Sequence, residues 1–150
     1  MTRLAAAAAA GLMILSIGGA ARAGEDAGRL FGIWVLVSAE ENGRPVPAAT
    51  IAASTHQMIF QKEGYTDVFK SKKGTVVFKG TYKLDPARVP AEIDLATYAG
   101  KTIGPTFPAI YKVKGDTLTI CTPLDGKQRP AQFTTLGAAI CVFKRQTSYP

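Results

Sequence analysis

A two-residue alternation of side chains opens at Gly32-Ile33-Trp34-Val35-Leu36-Val37. Successive side chains of a β-strand point to opposite faces, so Trp34 and Leu36 fall on one face and the three β-branched residues on the other. β-Branched and aromatic residues are typical of strands because they fit a pleated surface. This stretch therefore predicts the first strand of a β-sheet.

The same alternation recurs along the rest of the chain, at residues 57–61, 75–84, 92–95, 117–120 and 140–142. Glycine-containing turns separate these segments, at Asn42-Gly43, Glu63-Gly64, Lys73-Gly74, Gly115-Asp116 and Asp125-Gly126. Glycine favours such turns because it readily adopts the positive φ that tight hairpins require. About eight strands joined by tight turns predict an all-β fold, an antiparallel barrel or sandwich.

Two further segments interrupt the strand pattern. Residues 47–53 begin with proline and continue with small residues, which predicts one short helix. Residues 96–109 carry two prolines and two glycines, which predicts a long loop over one end of the fold.

Composition limits the classes of protein that this chain can belong to. The 150 residues are 47% hydrophobic and 19% charged, which suits one globular domain and excludes a disordered chain. The net charge of +7 admits anionic partners without selecting one. One histidine and two cysteines are too few for a protein-only zinc or iron–sulfur site, so we expect no metal and no cofactor.

The first 23 residues have the pattern of a secretory signal peptide. Arg3 precedes an alanine-rich apolar run, and Ala21-Arg22-Ala23 offers small residues at a cleavage site. We expect cleavage after Ala23, a flexible N-terminus over 24–29 and one barrel domain over 30–146. The mature protein would then be periplasmic or extracellular, with no transmembrane segment.

Export would place Cys121 and Cys141 in an oxidising compartment, where a disulfide between them could persist. Two small buried thiols are the alternative. If residues 132–135 form a strand between the two cysteine strands, the sulfurs lie roughly 10 Å apart, which is beyond bridging range. The sequence leaves both possibilities open.

Trp34 begins the first strand of the pattern, and Arg145 ends the last one. Closure of a barrel makes its first and last strands neighbours, so the guanidinium of Arg145 can stack on the indole. The alternative is a core tryptophan and a solvated arginine. We predict the stacked pair, with a structural role in closing the barrel.

The chain lacks the residue patterns of common catalytic sites. His56 is the only histidine, and its sequence neighbours Ser54 and Thr55 do not complete a nucleophile system, so we predict a solvated side chain. The carboxylates are dispersed, mostly at turns. We therefore predict no catalytic residue and no enzymatic activity.

Several segments together resemble a known family. Gly32-x-Trp34-x-Leu36 with the residues up to Gly43, and the closing Val142-Phe143-Lys144-Arg145, are similar to the planctomycete-type lipocalin-like domain of unknown function. Further similar segments lie at 80–86, 93–95, 110–111, 115–121 and 129–133. The resemblance implies an exported bacterial protein with a lipocalin-like antiparallel β-barrel. It implies no activity, ligand or disulfide, and Cys141 and residues 105–108 are not features of the family.

We expect the barrel to bind a small apolar or amphipathic ligand, because it has more aromatic residues than a filled core requires. The candidate lining residues are Tyr65, Phe69, Phe78, Tyr82, Tyr111 and Phe133. The alternative is an envelope interaction module that binds an anionic polymer or protein through basic residues. These are Lys70, Lys72, Lys73, Lys112, Lys114 and Lys127. We expect no nucleic acid partner.

Overall fold

The computed structural model describes residues 25–99 and 101–147 of the chain. These residues contain nine strands and two short helices. The strands are β1 (Gly32–Glu41), β2 (Arg44–Pro45), β3 (Ser54–Gln61), β4 (Gly64–Ser71), β5 (Gly74–Asp85), β6 (Glu92–Ala99), β7 (Thr102–Lys114), β8 (Thr117–Pro123) and β9 (Ala138–Arg145). The helices are α1, which includes residues 25–30, and α2 (Ala48–Ala52). The helix predicted over 47–53 is therefore confirmed.

The sheet closes on itself as an antiparallel barrel. β1 pairs with β3, each strand from β3 to β8 pairs with the next, and β9 returns to pair with β1. β2 is a two-residue strand that pairs only with the end of β1, so eight strands form the closed wall. The prediction of an all-β, lipocalin-like antiparallel barrel is confirmed.

Alternate residues of each strand point into the barrel and form its core. Trp34, Phe60 and Phe143 are among the largest fully buried side chains. Burying an aromatic or large aliphatic side chain contributes about 1.5–3 kcal/mol. The face that begins with Trp34 and Leu36 therefore supplies much of the energy that holds the barrel together.

One end of the barrel is closed by α1 and by the contact between Trp34 and Arg145. The guanidinium lies 4.1 Å from the centre of the indole ring, which confirms the predicted pair. Arg145 also donates hydrogen bonds of 2.6 Å to the backbone carbonyls of Phe31 and Arg29. The indole N–H of Trp34 donates to the carbonyl of Leu30 at 2.7 Å. We call this the closed end.

The closed end includes most of the segment 24–29, for which the sequence predicts a flexible N-terminus; residue 24 itself lies outside the described residues. Residues 25–30 are helical instead, because Leu30 is fully buried in the barrel and the carboxylate of Asp26 accepts a hydrogen bond from Tyr111. The signal peptide predicted over 1–23 lies outside the described residues. Neither helix among the described residues has the length and hydrophobicity that a membrane span needs.

The prediction of a long loop over residues 96–109 is wrong. β6 continues to Ala99, and β7 begins at Thr102 and includes both prolines. The register shifts between Ala96 and Tyr98, where one residue of β6 faces the two residues Gly104-Pro105 of β7. Such a bulge accommodates proline because the ladder is locally interrupted there.

The strand considered between Cys121 and Cys141 is absent from the described residues. β8 pairs directly with β9, and residues 124–137 run as a loop along the outside of the barrel. Cys141 lies opposite Ile120 and Cys121 lies opposite Ile140, so the two thiols point to opposite faces. Both cysteines are free. The possible disulfide is therefore not formed, because of side-chain direction rather than distance between strands.

Arg129 holds the outer loop in place. Its guanidinium donates to the backbone carbonyls of Ala109 and Ile93 at 2.6 and 3.2 Å and pairs with Asp94 at 2.6 Å. Beneath the loop, Ile110, Cys121 and Ala138 form a second small buried cluster on the outer face. The loop therefore covers apolar surface that would otherwise face water.

Candidate functional site

A cavity of about 630 Å³ lies inside the barrel at the end opposite Trp34 and Arg145. We call this the open end. Small-molecule sites in proteins usually have volumes of about 300–1,000 Å³. The hairpin between β4 and β5 and the starts of β7 and β9 lie around the opening. The residues that line the cavity are Glu41, Met58, Tyr65, Asp67, Phe69, Phe78, Leu95, Thr97, Pro105, Phe107, Thr122, Pro123, Leu124, Ala139 and Cys141.

Three phenylalanines, Phe69, Phe78 and Phe107, form part of the wall of this cavity. They are 38%, 46% and 39% exposed, although they belong to the inward-facing side of their strands. Phe69 and Phe78 contact each other edge to face, with ring centres 6.2 Å apart. Water that enters the cavity therefore meets aromatic surface, which favours filling by an apolar group.

A hydrogen-bonded pair of ionisable side chains lies deeper. His56 Nε2 is 2.6 Å from Asp67 Oδ1, and both side chains are at most 20% exposed. The imidazole stacks on Phe69 with ring centres 4.0 Å apart and meets the edge of Phe143 at 5.4 Å. A further cavity of about 150 Å³ adjoins His56 and Asp67. The prediction that His56 is solvated is therefore wrong, because the register of β3 directs the side chain inward.

Glu41 and Cys141 complete the polar lining of the cavity. Glu41 is exposed at the end of β1, and Cys141 lies deeper on β9. Burial raises the pKa of the Cys141 thiol to about 11, and the negative charges of Glu41 and Asp67 contribute to the increase. A catalytic cysteine instead needs a lowered pKa and a base within hydrogen-bonding reach. No hydrogen bond joins Cys141 to His56 within residues 25–99 and 101–147.

The structure brings three of the six predicted ligand-binding residues into this cavity: Tyr65, Phe69 and Phe78. Tyr65 is 6% exposed, and its hydroxyl lies 2.9 Å from the hydroxyl of Thr97. Burial raises the pKa of Tyr65, and the charge of Asp67 adds to the shift. The tyrosine therefore stays protonated and can offer a hydrogen bond within the cavity.

The other three predicted residues do not line this cavity. Tyr82 lies edge-on to Phe60 and donates a hydrogen bond to the carbonyl of Gln61, near the closed end. Tyr111 is buried in the core, where its hydroxyl donates to Asp26 at 3.0 Å. Phe133 lies on the outer loop. Sequence alternation alone could not separate these positions, because it does not show which end of the barrel each strand position reaches.

The lysines of the alternative function do not form one surface. Lys70, Lys72 and Lys73 lie at the β4–β5 hairpin of the open end. Lys114 precedes the β7–β8 turn at the closed end. Lys112 lies on the outer wall, with its ammonium 4.6 Å from the centre of the Phe133 ring. An extended anionic partner would therefore have to follow the whole length of the barrel to contact them together.

Three polar residues of the two adjoining cavities were not predicted from the sequence: His56, Asp67 and Glu41. The sequence indicates that two of them share a strand face with a core residue, because His56 is two residues before Met58 and Asp67 is two residues after Tyr65. Positions two apart share a face of a strand. Their pairing depends on the register between β3 and β4, which the sequence alone did not define.

The described residues contain no group of three or more His, Cys, Asp or Glu side chains that could hold a metal ion. Comparisons with protein-family models, curated proteins and solved structures found no match for this chain.

Proposed function

We propose that this chain is an exported binding protein that holds one small amphipathic molecule in the open end of its barrel without chemically changing it. The observation that carries the proposal is the cavity of about 630 Å³ with aromatic walls and a few polar groups at its base and rim. That combination is typical of sites for small organic ligands. The signal peptide predicted over 1–23 supports export.

The shape of the barrel supports a binding role. Core residues fill the closed end, and Trp34 is fully buried there. Towards the open end, side chains such as Ala139, Thr97 and Thr122 are small and leave space between the aromatic rings. A closed wall that surrounds a preformed cavity spares a ligand much of the cost of ordering its site.

The chemistry of the cavity supports binding rather than catalysis. Its cysteine has a raised pKa, and the charged form needed for nucleophilic attack is therefore scarce at neutral pH. His56 is held by Asp67, but no activated hydroxyl or thiol is hydrogen-bonded to it among the described residues. The pair therefore serves better as a polar anchor than as a general base.

Titration with an uncharged environment-sensitive dye, N-phenyl-1-naphthylamine, tests this proposal. We expect saturable binding to the purified protein with one site per chain. Ala139→Trp places an indole in the cavity, and we expect it to abolish saturable binding. Phe78→Ala removes part of the wall and should weaken binding about tenfold, since an aromatic contact of this kind contributes roughly 1–2 kcal/mol.

Ala87→Trp is the matched control, because Ala87 is exposed in the turn between β5 and β6 at the closed end. It should bind the dye as the unmodified protein does. Circular dichroism and thermal unfolding would show that each variant is folded. Absence of saturable binding to the unmodified protein, or equal binding by folded Ala139→Trp, would refute the proposal.

A further inference from the structure

We infer that the ligand of the open-end cavity is an organic cation, an amine or quaternary ammonium with an apolar tail. The inference rests on the proposed function and names the chemical class of its ligand. Three features of the cavity carry it: the sign of the charges that line it, the aromatic faces beside them, and the placement of the basic residues outside it.

The charged residues that line the cavity are both acidic. Glu41 is at the rim, and Asp67 is deeper in the wall. His56, the one basic group in the adjoining small cavity, is already hydrogen-bonded to Asp67 at 2.6 Å. Even with the imidazole protonated, that pair is neutral and Glu41 leaves the cavity with one negative charge.

Glu41 makes no ion pair within the described part of the chain, although Arg44 lies opposite it in the pairing of β1 with β2. Its neighbour Glu40 differs, because Glu40 accepts a hydrogen bond from the hydroxyl of Thr135 on the outer loop. An ammonium group entering the cavity would thus meet a carboxylate that is not already held in an ion pair. A carboxylate-bearing ligand would meet like charge at the same place.

Aromatic rings favour the same ligand. The faces of aromatic rings attract cations, and a cation near several rings gains from each of them. Phe69, Phe78 and Phe107 are partly exposed and line the same cavity as the two carboxylates, although one face of Phe69 already stacks on His56. The rings can contact both the ammonium group and the apolar tail, so one wall accommodates both parts of the ligand.

Basic residues lie near the open end, where Lys70, Lys72 and Lys73 form part of the β4–β5 hairpin and Arg44 is opposite Glu41, but they do not line this cavity. None of the lysines and arginines in residues 25–99 and 101–147 lines either the large or the small cavity. Lys70 follows Phe69 in β4 and therefore lies on the outer face. An acidic, aromatic interior inside a chain of net charge +7 is the opposite of what a fatty-acid anion needs.

Three competitors with the same alkyl chain test the inference: decyltrimethylammonium, decanol and decanoate. Each displaces N-phenyl-1-naphthylamine, the two ions below their micelle concentrations and decanol below its solubility limit. We expect the cation to bind about tenfold more tightly than the alcohol, and the alcohol more tightly than the anion. Raising the ionic strength should reduce the preference, because salt screens a charge near the rim.

Glu41→Gln should lower the affinity for the cation several-fold and leave the affinity for decanol unchanged. Glu40→Gln is the matched control on the outer face and should change neither affinity. Asp67→Asn removes the second carboxylate that lines the cavity and should also lower the affinity for the cation. Equal binding of the three competitors, or tighter binding of decanoate, would overturn the inference while the binding function stands. Failure of all three competitors and of the dye would overturn both.

Discussion

Arg145→Ala removes the side chain that closes one end of the barrel. The guanidinium stacks on Trp34 at 4.1 Å and donates to the carbonyls of Phe31 and Arg29 at 2.6 Å each. It also lies 3.2 Å from the carboxylate of Asp116. Because all four contacts depend on one side chain, a single substitution tests whether this end stabilises the fold.

The expected loss follows from these contacts. A hydrogen bond from a charged donor contributes about 1.5–3 kcal/mol, and a partly exposed cation–π contact about 1 kcal/mol. The ion pair with Asp116 adds under about 1 kcal/mol, since that carboxylate is 67% exposed. The contacts share one side chain and are not additive, so we expect a net loss of about 3 kcal/mol. For a domain of this size the melting temperature should fall by roughly 10–15 °C.

Urea and thermal unfolding, followed by circular dichroism and by the fluorescence of Trp34, would measure the loss. Lys144→Ala is the matched control, because Lys144 is the adjacent basic residue and, among the described residues, its exposed ammonium donates only to the hydroxyl of Thr117. It should change the free energy of unfolding by less than about 0.5 kcal/mol. If Arg145→Ala is as stable as Lys144→Ala, the contacts at this end do not hold the barrel closed.

Three more outcomes are expected. Gly80→Ala should destabilise the fold by at least about 2 kcal/mol in urea unfolding, because the new Cβ would collide with the backbone carbonyl of Ala96. Mass spectrometry after denaturation and alkylation, without reductant, should find two modified thiols, and a single unmodified pair would contradict the placement of Cys121 and Cys141 on opposite faces. The free energy of unfolding should fall as the pH rises from about 9 to about 11, because the folded protein holds the Cys141 proton more tightly than the unfolded chain does. Cys141→Ser should make that decrease smaller, and an identical pH profile would count against the raised pKa.

The alternation of apolar residues determined most of the strands and the barrel class. Side chains at Trp34, Met58 and Leu118 follow the two-residue period. The period is visible in the sequence because the inward face of each strand must be apolar. The short helix at α2 was likewise predictable from its proline and alanines. The role of Arg145 followed from closure, since closure makes the first and last strands neighbours.

Residues 102–109 show where local patterns mislead. Their prolines and glycine favour a loop, but pairing with β6 and a bulge keep them in a strand. Residues 25–30 show the same limit, because their helix depends on burying Leu30 in the end of a barrel that forms from distant strands. Tertiary contacts outweigh local propensity at both places.

The sequence by itself determined which faces are apolar, where the chain turns and that the ends of the sheet can meet. Only the tertiary structure decided that His56 pairs with Asp67, that Glu41 faces the same cavity, and that the two cysteines point apart. The physical reason is that alternation specifies the two faces of each strand, whereas the register between strands and their stagger around the barrel specify which side chains meet.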